Sequence, residues 1–424
     1  MRSVGILTLG CKVNTYESEF VMNELMKAGY EIKDFSDICD VYIINTCTVT
    51  NSSDSKSKKM IRQAIKRNPN ACVVAMGCYI AANPDLSIDG LDIMIGNKDK
   101  SSIVTLLDEY FQNKEVLKRQ YHGRLKEFED MYINDFPGRT RAFVKIQDGC
   151  DNFCTYCIIP FVRGKCRSKE EDKVVQEVED LVQNGYKEVV LTGIHTGSYG
   201  VDLDTSFAHL LERLVQIDGL ERLRISSIET TELNEDVLNV LRNSNVLVDH
   251  LHIPIQAGSN EILKAMNRKY DLNFFFDKIK EIRSIRPEIS ISTDVIVGFP
   301  GESEELFQKT IETCRKIKFS KLHVFPYSER RGTASSRMDG KLDGGIKKDR
   351  ARRLIQVSKE LENDYMSQFI GRKVTVLVEE YKDGYSYGHT GNFLYVIIPG
   401  EYSHNEFIDV EIKKVDYPYC VGER

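Results

Sequence analysis

Short apolar strands alternate with amphipathic helices in two separate blocks of this chain, and that alternation limits the fold more than any other feature. In the first block, residues 1–112, the strand and helix candidates are, in order, Val4–Leu9, Tyr16–Ala28, Val41–Asn45, Ser55–Arg67 and Cys72–Met76. Strands joined through helices pair side by side by right-handed crossovers. The first block therefore predicts a doubly wound parallel sheet in an α/β protein.

The second block, residues 141–366, repeats the alternation over a longer stretch. Its strand candidates are Ala142–Gln147, Glu188–Leu191, Arg222–Ser226, His250–Ile253, Ser290–Val297 and Lys321–Phe325. Helical segments connect these strands, and a last helix is predicted over Ile346–Phe369. Six strands with helical crossovers predict an open (β/α)6 barrel, because a closed eight-stranded barrel needs more chain.

Two further stretches lack this alternation. Residues 113–140 are rich in charge and contain Pro137-Gly138, which predicts a linker. Residues 367–424 hold short strand candidates with Gly and Asp between them, at Lys373–Val378, Tyr385–Thr390, Leu394–Ile398 and Glu406–Lys413. Short strands in so small a segment predict a small C-terminal β-barrel.

Eleven cysteines need an explanation in a chain of this kind. No apolar run approaches the roughly 20 residues of a membrane span, and the residues up to Gly10 are typical of a strand, not of a signal peptide. We therefore expect a cytoplasmic protein without a membrane segment, in which thiols stay reduced. In that setting numerous cysteines indicate metal binding or catalysis in preference to disulfides.

The net charge of −6 does not favour a nucleic acid as partner, so RNA binding would require local basic patches. Two predicted helices carry such patches, one with Lys56, Lys58, Lys59 and Arg62, the other with Lys347, Lys348, Arg350, Arg352 and Arg353. Either patch alone is also typical of a solvated helix face.

The strongest chemical signal is Cys150-x3-Cys154-x2-Cys157, directly after the first barrel strand. Three thiolates on one tight loop can hold three irons of a cubane [4Fe-4S] cluster and leave the fourth iron open. An open iron suits a substrate that chelates through an amine and a carboxylate, as the methionine end of S-adenosylmethionine does. The alternative is a zinc site completed by Cys166, although the end of a barrel strand is where barrel catalysis takes place.

This motif resembles that of the radical S-adenosylmethionine superfamily, and the resemblance implies further contacts to S-adenosylmethionine. The aromatic residue before the last cysteine, Tyr156, is expected beside the adenine. The other contacts are expected at the ends of later strands, with Thr192 and Gly193 at the methionine end, Ser227 and Glu229 at the ribose, and Gly298 and Pro300 at the adenine.

A second set of cysteines, Cys11, Cys47 and Cys78, is dispersed in the sequence, but each directly follows a predicted strand of the first block. The carboxyl ends of parallel strands share one edge of the sheet, where open α/β sheets bind ligands. The three thiols are therefore predicted to meet and to hold a second cubane cluster. The alternative is that these cysteines are buried as small hydrophobic side chains.

Several longer motifs resemble the methylthiotransferases, and together they span nearly the whole chain. These are residues 8–19 (TLGCKVNTYESE), Arg163-Gly164 with Arg167-Ser168, residues 192–200 (TGIHTGSYG) and residues 325–328 (FPYS). The resemblance implies an enzyme that thiolates a carbon–hydrogen bond and methylates the sulfur. It also implies two [4Fe-4S] clusters, S-adenosylmethionine, a sulfur donor, an electron donor such as flavodoxin or ferredoxin, and a TRAM-like RNA-binding C-terminal domain.

The opening motif, Gly10-Cys11-Lys12-Val13-Asn14, separates the types within this family. The isopentenyladenosine type usually reads Gly-Cys-Gln-Met-Asn, and the type that acts on ribosomal protein S12 usually reads Gly-Cys-Pro-Lys-Asn. This chain resembles the type that acts on threonylcarbamoyladenosine 37, in the anticodon loop of tRNA. The other two substrates remain alternatives, and a zinc-containing RNA-binding protein is the alternative without enzymatic activity.

The threonylcarbamoyl group carries a carboxylate, which an Arg or Lys is expected to bind. Arg372 and Lys373, at the start of the predicted C-terminal barrel, are the candidates. That domain departs from expectation, because from Ser367 onward it holds six Lys or Arg against nine Asp or Glu, which attracts RNA only weakly. Cys166, inside the Arg163–Arg167 motif, is a second departure.

Overall fold

The computed structural model describes residues 1–113 and 127–424, together with the backbone of residues 117–119, and it begins with a parallel sheet. The elements of this part are, in chain order, β1 (Ser3–Thr8), α1 (Lys12–Lys27), β2 (Glu31–Lys33), β3 (Val41–Thr46), α2 (Asn51–Arg67), β4 (Cys72–Gly77), α3 (Cys78–Ala82), β5 (Ile93–Ile95), α4 (Ile103–Asn113) and β6 (Leu117–Arg119). The strand order is β2-β1-β3-β4-β5-β6, and every pair is parallel. The predicted doubly wound sheet is confirmed, and it contains three short strands that the sequence pattern did not reveal.

The helix α1 begins at Lys12, four residues before the predicted start. Its first turns bury polar side chains, among them Asn14, Glu17 and Ser18. These residues interrupt the apolar periodicity from which a helix is recognised. The early start therefore points to a special role for this part of α1.

The predicted linker, residues 113–140, contains more structure than its charge pattern indicated. β6 pairs with β5 and extends the first sheet, while Met131, Ile133 and Phe136 are buried in a hydrophobic core that extends into the second block. Part of the predicted linker therefore packs into the fold, which the sequence did not indicate because isolated apolar residues in a polar stretch give no periodic signal. Residues 114–116 and 120–126 of the segment lie outside the described residues.

The second block forms an open barrel of six parallel strands. Its elements are β7 (Arg141–Lys145), β8 (Gln147–Asp148), α5 (Ile159–Val162), β9 (Arg167–Ser168), α6 (Glu171–Gln183), β10 (Glu188–Thr192), α7 (Phe207–Leu214), β11 (Arg222–Ile225), α8 (Glu235–Asn243), β12 (His250–His252), α9 (Asn260–Ala265), α10 (Leu272–Ile285), β13 (Ser290–Val297), α11 (Glu304–Ile317), β14 (Lys321–Pro326) and α12 (Gly344–Ser367). The strands form two halves, β7-β10-β11 and β12-β13-β14, which a bridge between Leu223 and Leu247 connects. The predicted (β/α)6 barrel is confirmed.

Alternate residues of the barrel strands point in opposite directions. Leu223, Leu251 and Val295 belong to the outward set and are buried in the hydrophobic core. The inward set is polar and lines a cavity of about 500 Å³, here called the barrel cavity, with Arg224, His250, His252, Ser292 and His323 on its wall. The interior of this barrel is thus a polar hollow, unlike the packed apolar interior of a closed eight-stranded barrel.

The C-terminal part is a closed β-barrel made of β15 (Lys373–Lys382), β16 (Tyr385–Thr390), β17 (Tyr395–Pro399), β18 (Phe407–Asp416) and β19 (Tyr419–Glu423). The sequence predicted four strands, and β19 is the fifth that closes the barrel between β17 and β18. The domain packs on the amino ends of the large-barrel strands, where Arg141 lies 3.3 Å from Glu379. None of the helices in the described residues combines the length and apolarity that a membrane span needs.

Candidate active site at two cysteine trios

The N-terminal trio consists of Cys11, Cys47 and Cys78, which follow the neighbouring parallel strands β1, β3 and β4. Gly10 has a φ of +109°, and a Cβ placed on it would lie 3.3 Å from the Cys47 sulfur. Burial is the main cause that raises the pKa of Cys11 and of Cys47, and the nearby Cys78 thiol raises both further. The three thiols therefore share one edge of the sheet and lie within range of one another's charge.

Two buried side chains donate hydrogen bonds to the Cys78 sulfur. Arg163 Nε lies 3.3 Å from this sulfur and Asn97 Nδ2 lies 3.5 Å from it. Arg163 follows α5 of the barrel domain, so the bond crosses from the barrel to the first sheet. Hydrogen bonds to ligand sulfurs are one means by which proteins set the potential of an iron–sulfur cluster.

Arg163 also belongs to a buried charge cluster, which we define as Glu17, Lys100, Lys145, Asp148 and Arg163. The guanidinium lies 2.9 Å from Glu17 and 3.1 Å from Asp148, and the two lysine ammonium groups lie 3.1 and 3.0 Å from Glu17. Burial would raise the pKa of Glu17, but its three cationic neighbours hold that pKa well below its usual range. Three cations face two carboxylates, so an excess positive charge lies beside Cys78.

The barrel trio, Cys150, Cys154 and Cys157, lies on the loop that follows β8. Gly149, before the first cysteine, has a φ of +77°, and a Cβ there would lie only 1.9 Å from the carbonyl oxygen of Lys165. Burial raises the pKa of Cys157 to about 12, and Cys154 and Cys150 contribute to the rise. The loop therefore gathers three thiols, and a close backbone approach that only glycine allows holds it in place.

Arg268 connects the barrel trio to the residue predicted to bind ribose. Its Nη1 lies 3.3 Å from the Cys154 sulfur, and its Nη2 forms an ion pair with Glu229. The Glu229 carboxylate thus already has a cationic partner, and it also accepts the backbone N–H of Glu232 in a capping box. Tyr156 packs beside this group, and burial raises its pKa well above the usual value. Sequence reasoning missed Arg268, which no strand-end motif identifies.

Gln147 joins the loop of the barrel trio to the end of β10, where Thr192 and Gly193 lie. Its Oε1 accepts the backbone N–H of His195 at 2.8 Å, and its Nε2 donates to the carbonyl oxygen of Gly149 at 2.8 Å. A Cβ on Gly193 would lie 3.0 Å from Oε1 of Gln147, so the glycine permits this contact. A fully buried glutamine at the end of a predicted strand was the signal that could have identified it.

The remaining predicted contacts lie at the ends of β11 and β13. Ser227, half-buried, follows β11, and Gly298 and Pro300 form the turn after β13. The N–H of Gly298 donates to Glu302 at 2.6 Å, and Glu302 pairs with Arg350 of α12 at 2.7 Å. This turn is therefore held from outside the barrel by α12.

Cys166 lies beside the barrel trio, where it contacts His195 and the backbone of Gly149. Its sulfur lies 4.0 Å from His195 Nδ1 and 3.9 Å from the Gly149 carbonyl oxygen. Burial would lower the pKa of His195, but hydrogen bonds with Cys150, Cys166 and Glu232 raise it to about 12. Across residues 1–113 and 127–424, no three Cys, His, Asp or Glu side chains are close enough to hold a single metal ion.

Comparison with known proteins identifies the family. Residues 144–314 match the radical SAM superfamily, and residues 3–95 match an uncharacterized protein family, UPF0004. A Bacillus subtilis (strain 168) protein named threonylcarbamoyladenosine tRNA methylthiotransferase MtaB is 42% identical over 100% of this chain and 96% of its own length. The chain belongs to the radical S-adenosylmethionine tRNA methylthiotransferases. The methylthiotransferase family expected from the sequence motifs is thereby confirmed.

Other similar proteins carry different names. A tRNA-2-methylthio-N(6)-dimethylallyladenosine synthase from Thermoanaerobacter sp. (strain X514) is 34% identical over 88% of this chain and 81% of its own length. A radical S-adenosylmethionine methyltransferase from Kitasatospora setae, solved with cobalamin and a [4Fe-4S] cluster, has a TM-score of 0.55 at 14% identity, over 77% of this chain and 72% of that one. The latter likeness is one of fold alone. As a radical methylthiotransferase the chain is an enzyme, and its superfamily uses a [4Fe-4S] cluster and S-adenosylmethionine.

Proposed function

We propose that this methylthiotransferase converts N6-threonylcarbamoyladenosine 37 of tRNA to its 2-methylthio derivative. The observation that carries the proposal is the relative named for that nucleoside, at 42% identity over the whole chain, against 34% over 88% for the relative named for dimethylallyladenosine. The opening motif, in which Lys12 follows Cys11, supports the same substrate. Dimethylallyladenosine is the second candidate, because methylthiotransferases named for it are also similar to this chain.

In this proposal the barrel trio, Cys150, Cys154 and Cys157, holds the radical [4Fe-4S] cluster through three thiolates. When bound, the cluster supplies the electron that cleaves S-adenosylmethionine reductively. The residues proposed to position S-adenosylmethionine are Tyr156, Thr192, Gly193, Ser227, Glu229, Gly298 and Pro300. Arg268 would orient both the cysteine loop and the carboxylate proposed to bind ribose, because its guanidinium contacts the Cys154 sulfur and the Glu229 carboxylate. Gln147 would hold the cysteine loop against the end of β10.

The N-terminal trio, Cys11, Cys47 and Cys78, is proposed to hold a second [4Fe-4S] cluster. The donor set fits this group, because three thiols lie at one sheet edge and the Cys78 sulfur receives two N–H donors. The excess positive charge of the buried charge cluster would offset the negative charge of thiolate ligands. Arg163 would thereby hold the first sheet and the barrel at a fixed separation, so that sulfur chemistry and radical chemistry act on one substrate.

The tRNA is proposed to bind through a basic face and an aromatic surface. Lys56, Lys58, Lys59 and Arg62 of α2 are exposed, and no ion pair involves them within the described chain. By contrast, α12 uses its arginines in ion pairs, as Arg350 with Glu302 shows. The acidic C-terminal barrel offers exposed aromatic rings, among them Tyr381, Tyr385 and Tyr417. Phosphates would bind to α2, while bases would stack on the C-terminal barrel.

An electron donor and a sulfur donor complete the proposal. The product gains one sulfur atom, so a sulfur donor has to supply it. Reductive cleavage of S-adenosylmethionine consumes an electron, so an electron donor such as flavodoxin or ferredoxin has to deliver it.

The test is mass spectrometry of tRNA nucleosides from cells that contain the wild-type protein, no protein, or a cysteine variant. Methylthio-threonylcarbamoyladenosine is expected only with the wild type, and Cys154→Ala is expected to behave like the deletion. Cys314→Ala is the matched control, because Cys314 is buried in α11 away from both trios. Loss of the methylthio group from dimethylallyladenosine alone would contradict the proposal and favour the second candidate.

The same variants provide a readout that does not depend on product. Iron and sulfide content of anaerobically purified Cys154→Ala is expected to fall to about half, since each trio is proposed to hold one cubane. Cys314→Ala is expected to retain the wild-type content. Full iron content in Cys154→Ala would remove Cys154 from the proposed ligands.

A further inference from the structure

The barrel cavity extends from the start of α1 to the C-terminal barrel. Its wall begins at Lys12, which directly follows Cys11, continues along the inward residues of β11 to β14, and ends at Phe393. Its volume of about 500 Å³ lies in the range of small-ligand sites. A larger groove of about 1080 Å³ lies between α11 and α12, but no barrel strand contributes to its wall.

Lys12 lies on the wall of this cavity. No hydrogen bond or ion pair of its side chain is found in the described part of the chain. Its side chain keeps accessible surface, so the ammonium group is available to a ligand in the hollow.

Two further polar atoms on the wall are buried and unpartnered, Nη2 of Arg224 and Nδ1 of His250. Arg224 is 2% exposed, and its Nε is already bound to Glu188 at 2.8 Å. His250 is 8% exposed, and its Nε2 lies 3.2 Å from the Ser292 hydroxyl. Buried polar atoms without a partner are costly, so these two atoms mark a place built for a polar ligand.

The charges on the cavity wall favour an anion. Glu362 is the one carboxylate among the described lining residues, and it pairs with Lys321 at 2.8 Å. Asp294, close by on β13, lies 3.3 Å from His252 Nε2. Lys12 has no ion pair in the described chain, and Nη2 of Arg224 has no hydrogen-bond partner, although Nε of the same guanidinium pairs with Glu188 and its Nη1 donates to the Gly391 carbonyl oxygen. Cations fixed in an enclosed wall attract an anion.

The chemistry of the proposed reaction identifies the anion. The methylthio group is added to the adenine ring, so that ring has to reach the N-terminal trio, and the substituent on N6 stays within a few bonds of it. We propose that the barrel cavity binds the carboxylate of the threonylcarbamoyl substituent, with Lys12 and Arg224 as its cationic partners. This inference rests on the proposed function, which brings the carboxylate to the site. Lys12 is thus assigned as a residue that determines specificity.

The floor of the cavity supports the same assignment. Phe393 stacks on His250 with ring centroids 5.0 Å apart and on His389 at 4.6 Å, and the Arg224 guanidinium lies 4.6 Å above the Phe393 ring. These contacts hold the Arg224 and His250 side chains on the cavity wall. The sequence-based candidates for carboxylate binding, Arg372 and Lys373, are absent from the described cavity wall, and Arg372 pairs with Glu288 at 2.7 Å.

The test compares two anticodon stem-loop RNAs, one with threonylcarbamoyladenosine and one in which its carboxylate is replaced by the neutral amide. Affinity is measured by fluorescence anisotropy with the wild-type protein. A charge-assisted contact predicts that the acid binds at least about 10-fold more tightly than the amide. Phosphates of the RNA are identical in both, so equal affinities would overturn the proposal and assign the cavity charges to the RNA backbone.

Variants of Lys12 test whether this residue causes the preference for the acid over the amide. Lys12→Gln is expected to reduce the acid-to-amide ratio to about threefold or less, and Lys12→Arg to restore most of it. Lys27→Gln, on the same helix but outside the described cavity wall, is the control with an unchanged ratio. An unchanged ratio in Lys12→Gln would overturn the role of Lys12. Failure of the proposed function is recognised separately, because the wild type would then methylthiolate dimethylallyladenosine RNA and leave both test RNAs unmodified.

Discussion

Replacing Glu17 by glutamine removes the central carboxylate of the buried charge cluster while preserving its shape. Glu17 is 0% exposed and lies within 2.9–3.1 Å of Arg163, Lys100 and Lys145. Loss of one partner from a buried ion pair costs about 3–5 kcal/mol, because the remaining charge stays buried and unpaired. At roughly 2 °C per kcal/mol for a large chain, the unfolding midpoint is expected to fall by about 6–10 °C.

The assay is thermal unfolding of anaerobically purified proteins at one concentration, followed by circular dichroism. Glu24→Gln is the matched control on the same helix, because among the described residues Glu24 pairs with Lys27 alone, whose side chain is 67% exposed. Such a surface pair contributes less than about 1 kcal/mol, so its midpoint is expected to change by no more than about 2 °C. Equal shifts in the two variants would refute the assignment of the charge cluster as a stabilising element.

The pH dependence of this difference follows from the ionisation of Glu17. Burial would raise its pKa, but Arg163, Lys100 and Lys145 hold it well below its usual range. A carboxylate with a lowered pKa stabilises the fold above its unfolded pKa, about 4.3, and loses that contribution as the pH falls through its folded pKa. The difference in midpoint between wild type and Glu17→Gln is therefore expected to stay constant between about pH 8 and pH 5. A difference that shrinks within this window would contradict the lowered pKa.

Three other variants test separate parts of the site. Cys47→Ala is expected to halve the iron content and stop methylthiolation while cleavage of S-adenosylmethionine to 5′-deoxyadenosine continues; full iron content with product formation would exclude the second cluster. Gly149→Ala forces a Cβ toward the Lys165 carbonyl oxygen, so the loop is expected to shift and iron retention to drop at least about twofold, which iron analysis checks. The double change Lys58→Gln and Lys59→Gln is expected to weaken tRNA binding and to reduce its salt slope by up to about 2, whereas an unchanged slope would remove α2 from the RNA interface.

The parts of this protein that the sequence made predictable are those with a local signal. The order of strands and helices follows from the spacing of apolar residues along the chain. The grouping of the cysteines at strand ends follows from the rule that parallel sheets bind ligands at one edge. The contact between Arg163 and Glu17 was not predictable, because it joins residues 146 positions apart in two domains. The polar interior of the barrel does have a signal in the sequence, since Ser290, Ser292 and Asp294 occupy every second position of one strand.

Because of the buried charge cluster, the first sheet and the barrel have to be inherited together. Each of the two parts buries charges whose partners lie in the other, with Glu17 on one side and Arg163 on the other. A fragment that begins at residue 141 would leave Arg163 and Lys145 without that carboxylate. This sheet could be transferred to a different radical barrel, by recombination or by engineering, only if that barrel already had an arginine or lysine at the contact with Glu17.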